Sequence, residues 1–380
     1  MKRILKNNAV QSLLASLACI IVGLLIGYIV LLFINPAGAW DAILTVIKNF
    51  FYYPSKPAAL KYFGSTLVKT VPLMLCGLSV LFAYKVGLFN IGAAGQYVAG
   101  AGAALYLALA LNQPWYVCII GAMLAGALLG AISGALKSYC NVNEVISCIM
   151  LNWISLYVVN MILTTVKETT SPYTFTLAST NPAALIPSLG LGKLFSNNPY
   201  VTIALPIAIV VSIIIWVLLE KTKFGYELRA TGNNKNAAKY CGMNEKRNII
   251  LTMIIAGALA GLGAALLFLT GFEQWQCSQS SVPTMGFNGI AAAFLGGLNP
   301  IGNIFSSYFI QHITNGGAYV DKTMYCAQIS DLISAIIIYL CGFVAFFKYF
   351  INNCIDRGEE RKAHKKAETP VSESEEGGNK

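Results

Sequence analysis

The polar residues that fall within or beside long apolar stretches are mostly side-chain amides: Asn90, Gln96, Asn143, Asn152, Asn160, Asn288, Gln311 and Asn315. An amide donates and accepts hydrogen bonds without carrying charge. It can therefore recognise the hydroxyls and carbonyls of a neutral solute, or hold one apolar helix to another. Aromatic rings adjoin three of these amides, in Phe89-Asn90, Asn152-Trp153 and Phe287-Asn288. A ring that stacks beside an amide that hydrogen-bonds suits a flat, polar, uncharged ligand. Carboxylates are scarce in the same stretches: Glu144 stands at the edge of one and Asp331 near the edge of another. Ion-coupled carriers keep carboxylates near the midplane, so this scarcity argues against proton or sodium coupling and for an energy source outside the membrane. No GxxxxGK[ST] phosphate loop is present, since Gly192-Lys193 is followed by Leu194 and lacks the upstream glycine. Neither HExxH nor GxSxG occurs, and the two histidines, His312 and His364, cannot assemble a His-based metal site. The chain is thus expected to be no enzyme and to hold no cofactor or metal.

The elements that must position these residues follow from composition. Of 380 residues, 56% are hydrophobic and 11% charged, where a soluble domain carries about a quarter charged. The expectation is an all-α integral membrane protein. Apolar runs fall at about 10–34, 66–84, 92–111, 115–136, 145–165, 202–219, 250–272, 287–298, 301–317 and 328–350, which implies about ten transmembrane helices. Lys2, Arg3 and Lys6 before an apolar stretch, with Ala37-Gly38-Ala39 after it, have the outline of a signal peptide. Leu13 to Ile34 is nevertheless long enough to span, and an uncleaved first crossing is favoured. With the N-terminus inside, 19 Lys and Arg fall on the cytoplasmic side and 7 outside. That bias puts both termini in the cytoplasm, and it accounts for the net charge of +10 without nucleic acid.

A transmembrane domain over 1–350 and a polar cytoplasmic tail over 351–380, of disordered composition, complete the outline. Outer loops are expected at 35–65, with an aromatic group of Trp40, Phe50, Phe51, Tyr52 and Tyr53, and at 166–201. The longest inner loop, 220–249, has glycines at Gly225, Gly232 and Gly242 around a short helix-compatible piece, which suits docking to a cytoplasmic partner. Ten cysteines include no CxxC, and Cys277 and Cys326 in predicted outer loops could pair. Phe89-Asn90 and Phe287-Asn288 each open a Gly/Ala-rich stretch beside a short or interrupted run. Matched interruptions of this kind mark inverted repeats around a midplane site, and they make broken helices the expectation near the translocation pathway. Gly126, Gly130 and Gly134, spaced by four, predict close helix packing.

At the inner loop the sequence resembles a known family. Asn236-Ala237-Ala238 followed by Gly242 is similar to the EAA-x-x-x-G loop of ABC-importer permeases, with Asn in place of Glu. Leu228-Arg229-Ala230, Gly232 and Asn234 resemble the LRAxGxN form found in simple-sugar and nucleoside importers. The run from Gly87 to Gln96 resembles that family's GLFNIGxxGQ segment, and Asn143 to Ser147 with Ile149 to Asn152 resembles NEVIxxIMLN of the nucleoside branch. The resemblance, over about 60–350, implies a second permease subunit, two cytoplasmic ATP-binding subunits and an extracytoplasmic solute-binding lipoprotein. It implies that Arg229, Gly232, Asn236, Ala237, Ala238 and Gly242 serve ATPase coupling; the Asn236 departure leaves that docking contact open. A substrate pathway is expected at Phe89, Asn90, Gln96, Asn143, Glu144, Asn152, Trp153, Phe287 and Asn288. The implied substrate is a nucleoside, though ribose, galactose or a flavin suits nearly the same residues. A stand-alone channel or carrier and an intramembrane enzyme are the readings outside this family.

Overall fold

A computed structural model describes residues 8–321, 323–325 and part of 332–353. Among them the ordered elements are helices, with two isolated bridges, Lys167 to Thr174 and Tyr173 to Gln276. The helices of six or more residues within 8–321 are α1 (Asn8–Ile34), α2 (Ala39–Lys48), α3 (Lys56–Lys85), α4 (Ala93–Leu109), α5 (Trp115–Cys140), α6 (Glu144–Leu163), α7 (Ala204–Lys221), α8 (Lys223–Asn233), α9 (Lys235–Tyr240), α10 (Glu245–Phe268), α11 (Met285–Leu295) and α12 (Pro300–Gly316). Six are long and apolar enough to cross a membrane: α1, α3, α5, α6, α7 and α10. The runs at 92–111, 287–298 and 301–317 form helices of 17, 11 and 17 residues. Cys326, Asp331 and residues 354–380 lie outside the described residues, and with them the disulfide expectation and the tail.

Two helices form the centre. α3 and α10 are buried along most of their length, whereas α5, α6 and α7 bury about a third and turn the rest outward. The exposed stripe of α5 is Ile120, Leu124, Leu128 and Ile132, all aliphatic and spaced by four. The glycines set the spacing at the centre. Gly126 on α5 faces Gly257 on α10, and a Cβ on either would overlap the other's carbonyl; Gly130 meets the Met253 carbonyl in the same way. Backbones in lipid gain dispersion and Cα–H contacts by approaching this closely. The packing expected of the Gly126-Gly130-Gly134 stripe is therefore present, and its partner is α10.

The segment 35–65 is less of a loop than its composition suggests. It contains α2, a 3-10 turn at Asn49–Tyr52 and the first turns of α3. α3 starts ahead of its apolar run because Pro57 sits at a first-turn position, where a missing N–H costs nothing, and good helix formers follow. Lys56, Lys61 and Lys69 accordingly ride on a helix, and Lys69 pairs with Glu273 at 3.6 Å. The loop 166–201 is tied down by amides: Asn181 Nδ2 donates to the Ala108 carbonyl and Asn198 Nδ2 to the Lys61 carbonyl, each at 2.8 Å.

Candidate substrate pathway and coupling loop

Between α3 and α4 the chain does not stay helical. Residues 86–92 leave the end of α3 and turn back into the protein before α4 begins. An interrupted helix at membrane depth must have its free backbone groups satisfied from within. Asn152 on α6 does this for two groups at the α4 end of the break: its Oδ1 accepts the Gly95 N–H at 2.8 Å, and its Nδ2 donates to the Ile91 carbonyl at 3.2 Å. Ser155, one turn on, donates to the Gly95 carbonyl at 2.9 Å. Asn90 lies inside the break with 0% exposure. Its Nδ2 donates to Ser79 Oγ at 2.9 Å and to Gln96 Oε1 at 2.8 Å, and Gln96 Nε2 donates back to Asn90 Oδ1 at 3.3 Å. Asn90, Gln96 and Asn152 thus converge at the start of α4, joined by Ser79 and Ser155, which sequence reasoning passed over because serine is unremarkable in a helix.

Of the remaining expected pathway residues, Phe89 lies in the break beside Asn90, while Asn143, Glu144 and Trp153 are placed elsewhere. Asn143 caps α6 by accepting the Val145 N–H at 2.9 Å, and Glu144 pairs with Lys137 at 2.7 Å at the same end of the bundle. Trp153 points away from its neighbour Asn152, is exposed, and stacks on Tyr157 with centroids 6.1 Å apart. Phe287 and Asn288 are half-buried in the first turns of α11. The space beside Gly92, Gln96, Cys148 and Asn152 holds no water-sized volume. A second void, by Val71, Leu205 and Leu266, is about 10 Å³. Both are far below the roughly 300 Å³ and upward of a small-molecule site.

α4 and α11 meet at their N-termini, where Gly286 sits against the Ala94 backbone. From there they diverge. α4 runs beside α6 toward Leu163, with Gly102 on Val159; α11 follows α3 toward Lys85, with Gly289 on Cys76 and the Phe294 ring 5.2 Å from Tyr84.

The segment 220–249 is three capped helical pieces. Thr222 accepts the Gly225 N–H at 3.0 Å, Asn234 the Ala237 N–H at 3.0 Å, and Asn244 the Arg247 N–H at 3.1 Å. α9 projects outward: Lys235, Asn236, Ala237 and Lys239 are exposed and Tyr240 is 93% exposed, while Ala238 is buried. It ends in a Schellman turn, with the Gly242 N–H on the Lys239 carbonyl and the Met243 N–H on the Ala238 carbonyl. Gly242 has φ +79, which only glycine adopts freely, and open space around it. α8 anchors the projection. Arg229 pairs with Glu220 at 2.9 Å, Asn248 of α10 donates to Thr231 Oγ1 at 2.8 Å, and Gly232 packs directly on the Val86 backbone beside Gly87. The 220–249 segment therefore touches the start of the α3–α4 break through glycine-to-backbone contact.

At the other end of α3 the tyrosines of 35–65 form a cluster, while Trp40 packs edge-on against Tyr28 of α1. Tyr53 stacks on Tyr62 at 4.3 Å and Tyr52 on Tyr319 at 5.9 Å. Burial, reinforced by Tyr62, pushes the Tyr319 phenol up to about 12. No group of His, Cys, Asp and Glu suited to a metal ion occurs among the described residues.

A bundle of apolar helices, interrupted at depth and carrying an exposed capped loop at one end, is the frame of a multi-pass membrane permease. The family model for the branched-chain amino acid transport system / permease component matches residues 62–342, and the chain belongs to that family. Among its relatives is the nucleoside ABC transporter permease protein NupB of Lactococcus lactis, 32% identical and covering 94% of this chain and 97% of the relative. The guanosine ABC transporter permease protein NupP of Bacillus subtilis is 32% identical over 86% and 92%. The glucose ABC transporter permease protein TsgB13 of Haloferax volcanii is 29% identical over 78% and 80%. Each of the first two organisms has a second matching permease, NupC and NupQ respectively.

Proposed function

We propose that the chain is the membrane-spanning permease of an ABC importer that carries a nucleoside inward, powered by ATP hydrolysis in a partner subunit. The observation that carries this is the near full-length likeness to NupB and NupP. Its physical counterpart is the exposed α9, a helix of suitable size to seat in a cleft of a cytoplasmic ATPase. The likeness to two members of each permease pair supports a heterodimer with a second permease. A solute-binding lipoprotein meets the outer loops 35–65 and 166–201. Both termini are cytoplasmic, with about ten crossings, and the head-on meeting of α4 and α11 supports an inverted repeat about the midplane. Asn90, Gln96 and Asn152 act on transport by holding the break, while Phe89, Phe287 and Asn288 border the route.

A simple sugar is the second reading, favoured by the likeness to TsgB13. The two separate in one experiment: uptake of labelled guanosine by the assembled importer, challenged with excess unlabelled guanosine, ribose or glucose. Competition by guanosine alone is expected. Competition by a sugar alone overturns the nucleoside reading.

A further inference from the structure

α11 is preceded by the second interruption of the bundle, and it is unlike the first. At the α3–α4 break the Asn90 side chain is buried and bonded to Ser79 and Gln96. The segment from Ser280 to Thr284 is more open. Asn160 on α6 donates to the Gln279 carbonyl at 2.9 Å and accepts the Trp275 Nε1–H at 2.9 Å, which fixes the upper end of the segment. Gly286 on Ala94, next to the Gly95 that Asn152 holds, fixes the lower end. Asn152 and Asn160 differ by two turns of α6, so the chain descends about 12 Å into the bilayer between them. It does so without helix or strand. Pro283 removes one N–H, and the N–H groups of Ser281, Val282 and Thr284 are bonded to no described residue. Ser280, Ser281 and Thr284 are exposed, while Val282 and Met285 pack on the core and hold the segment in place.

Lipid cannot face such a wall, because each unpaired backbone group costs several kcal/mol in hydrocarbon (about 2–7 in apolar solvents). The plain aliphatic stripe of α5 is what a lipid-facing surface looks like in this protein. We propose that Ser280 to Thr284, continuing into Asn288, forms one wall of the aqueous translocation route. Its free N–H groups and hydroxyls receive the acceptor atoms of the solute, namely ribose oxygens and base carbonyls. The solute's chemistry rests on the nucleoside reading; the wall itself rests only on the geometry.

The test uses the complete importer in vesicles, with reactive cysteines removed and Ser281→Cys or Thr284→Cys introduced singly. Leu124→Cys, on the aliphatic stripe, is the control. A charged, membrane-impermeant thiol reagent should modify both wall variants faster than the control. Guanosine should slow that modification, and modification should abolish uptake. If an importer that stays assembled shows no modification of either wall variant beyond the control, the wall is refuted. If both are modified but only ribose or glucose protects, the wall stands and the nucleoside reading fails.

Discussion

Replacing Asn152 with alanine tests whether the interrupted start of α4 is held from α6. The substitution removes two hydrogen bonds at once and leaves the Gly95 N–H and the Ile91 carbonyl without partners. A buried polar group left unpaired costs about 1–3 kcal/mol, while hydrogen bonds between membrane helices average nearer 0.6 kcal/mol. The Gly95 N–H is buried and the Ile91 carbonyl partly so, so the loss should fall at roughly 2–3 kcal/mol. Trp153→Ala, one residue away but exposed, should stay within about 0.5 kcal/mol. Chemical denaturation of the two purified variants in mixed micelles gives the comparison. A large fall in midpoint for Asn152→Ala with little change for Trp153→Ala is expected. Wild-type stability of Asn152→Ala would refute the view that this amide holds the break.

Gly257→Ala should destabilise by about 1–3 kcal/mol, since its Cβ overlaps the Gly126 carbonyl and pushes α5 from α10; the same denaturation measurement checks it. Gly242→Pro should abolish co-purification of the ATPase subunit, because proline cannot adopt φ +79 and removes the N–H that closes α9; undisturbed assembly would count against docking at this loop. Gly242→Ala should weaken that assembly by about 1 kcal/mol, the cost of a left-handed alanine. Tyr319 should stay a neutral phenol past the usual tyrosine range. Its raised value means that its contribution to stability is complete below pH about 10 and is lost as pH rises toward about 12; tyrosinate absorbance alongside denaturation follows both.

Much of the bundle could be read from the chain, because twenty-residue apolar runs and basic flanks are sequence properties. The irregular stretch ahead of the run at 92 was legible too, but the one expected at 287 was misplaced: Phe287 and Asn288 lie inside α11, and the non-helical segment precedes them at 280–284. What side chains do at the break was not legible. Asn152 and Trp153 are adjacent in sequence, yet one caps a buried break and the other faces outward, a distinction set by helix rotation. The polar wall at Ser280 to Thr284 reads as an ordinary outer loop of small residues. Only the register fixed by Asn160 and Ala94 places it at depth. The contact between Gly232 and Val86 joins two motifs far apart in sequence, and no periodicity could indicate it.

This chain should move solute only when an ATPase drives it. Vesicles holding both permeases, with and without the ATPase subunit and ATP, and supplied with binding protein and labelled guanosine, test it directly. Uptake is expected in the complete system and should vanish when either the ATPase or ATP is withheld. Uptake at the same rate by the permease chains alone would contradict coupling to an ATPase.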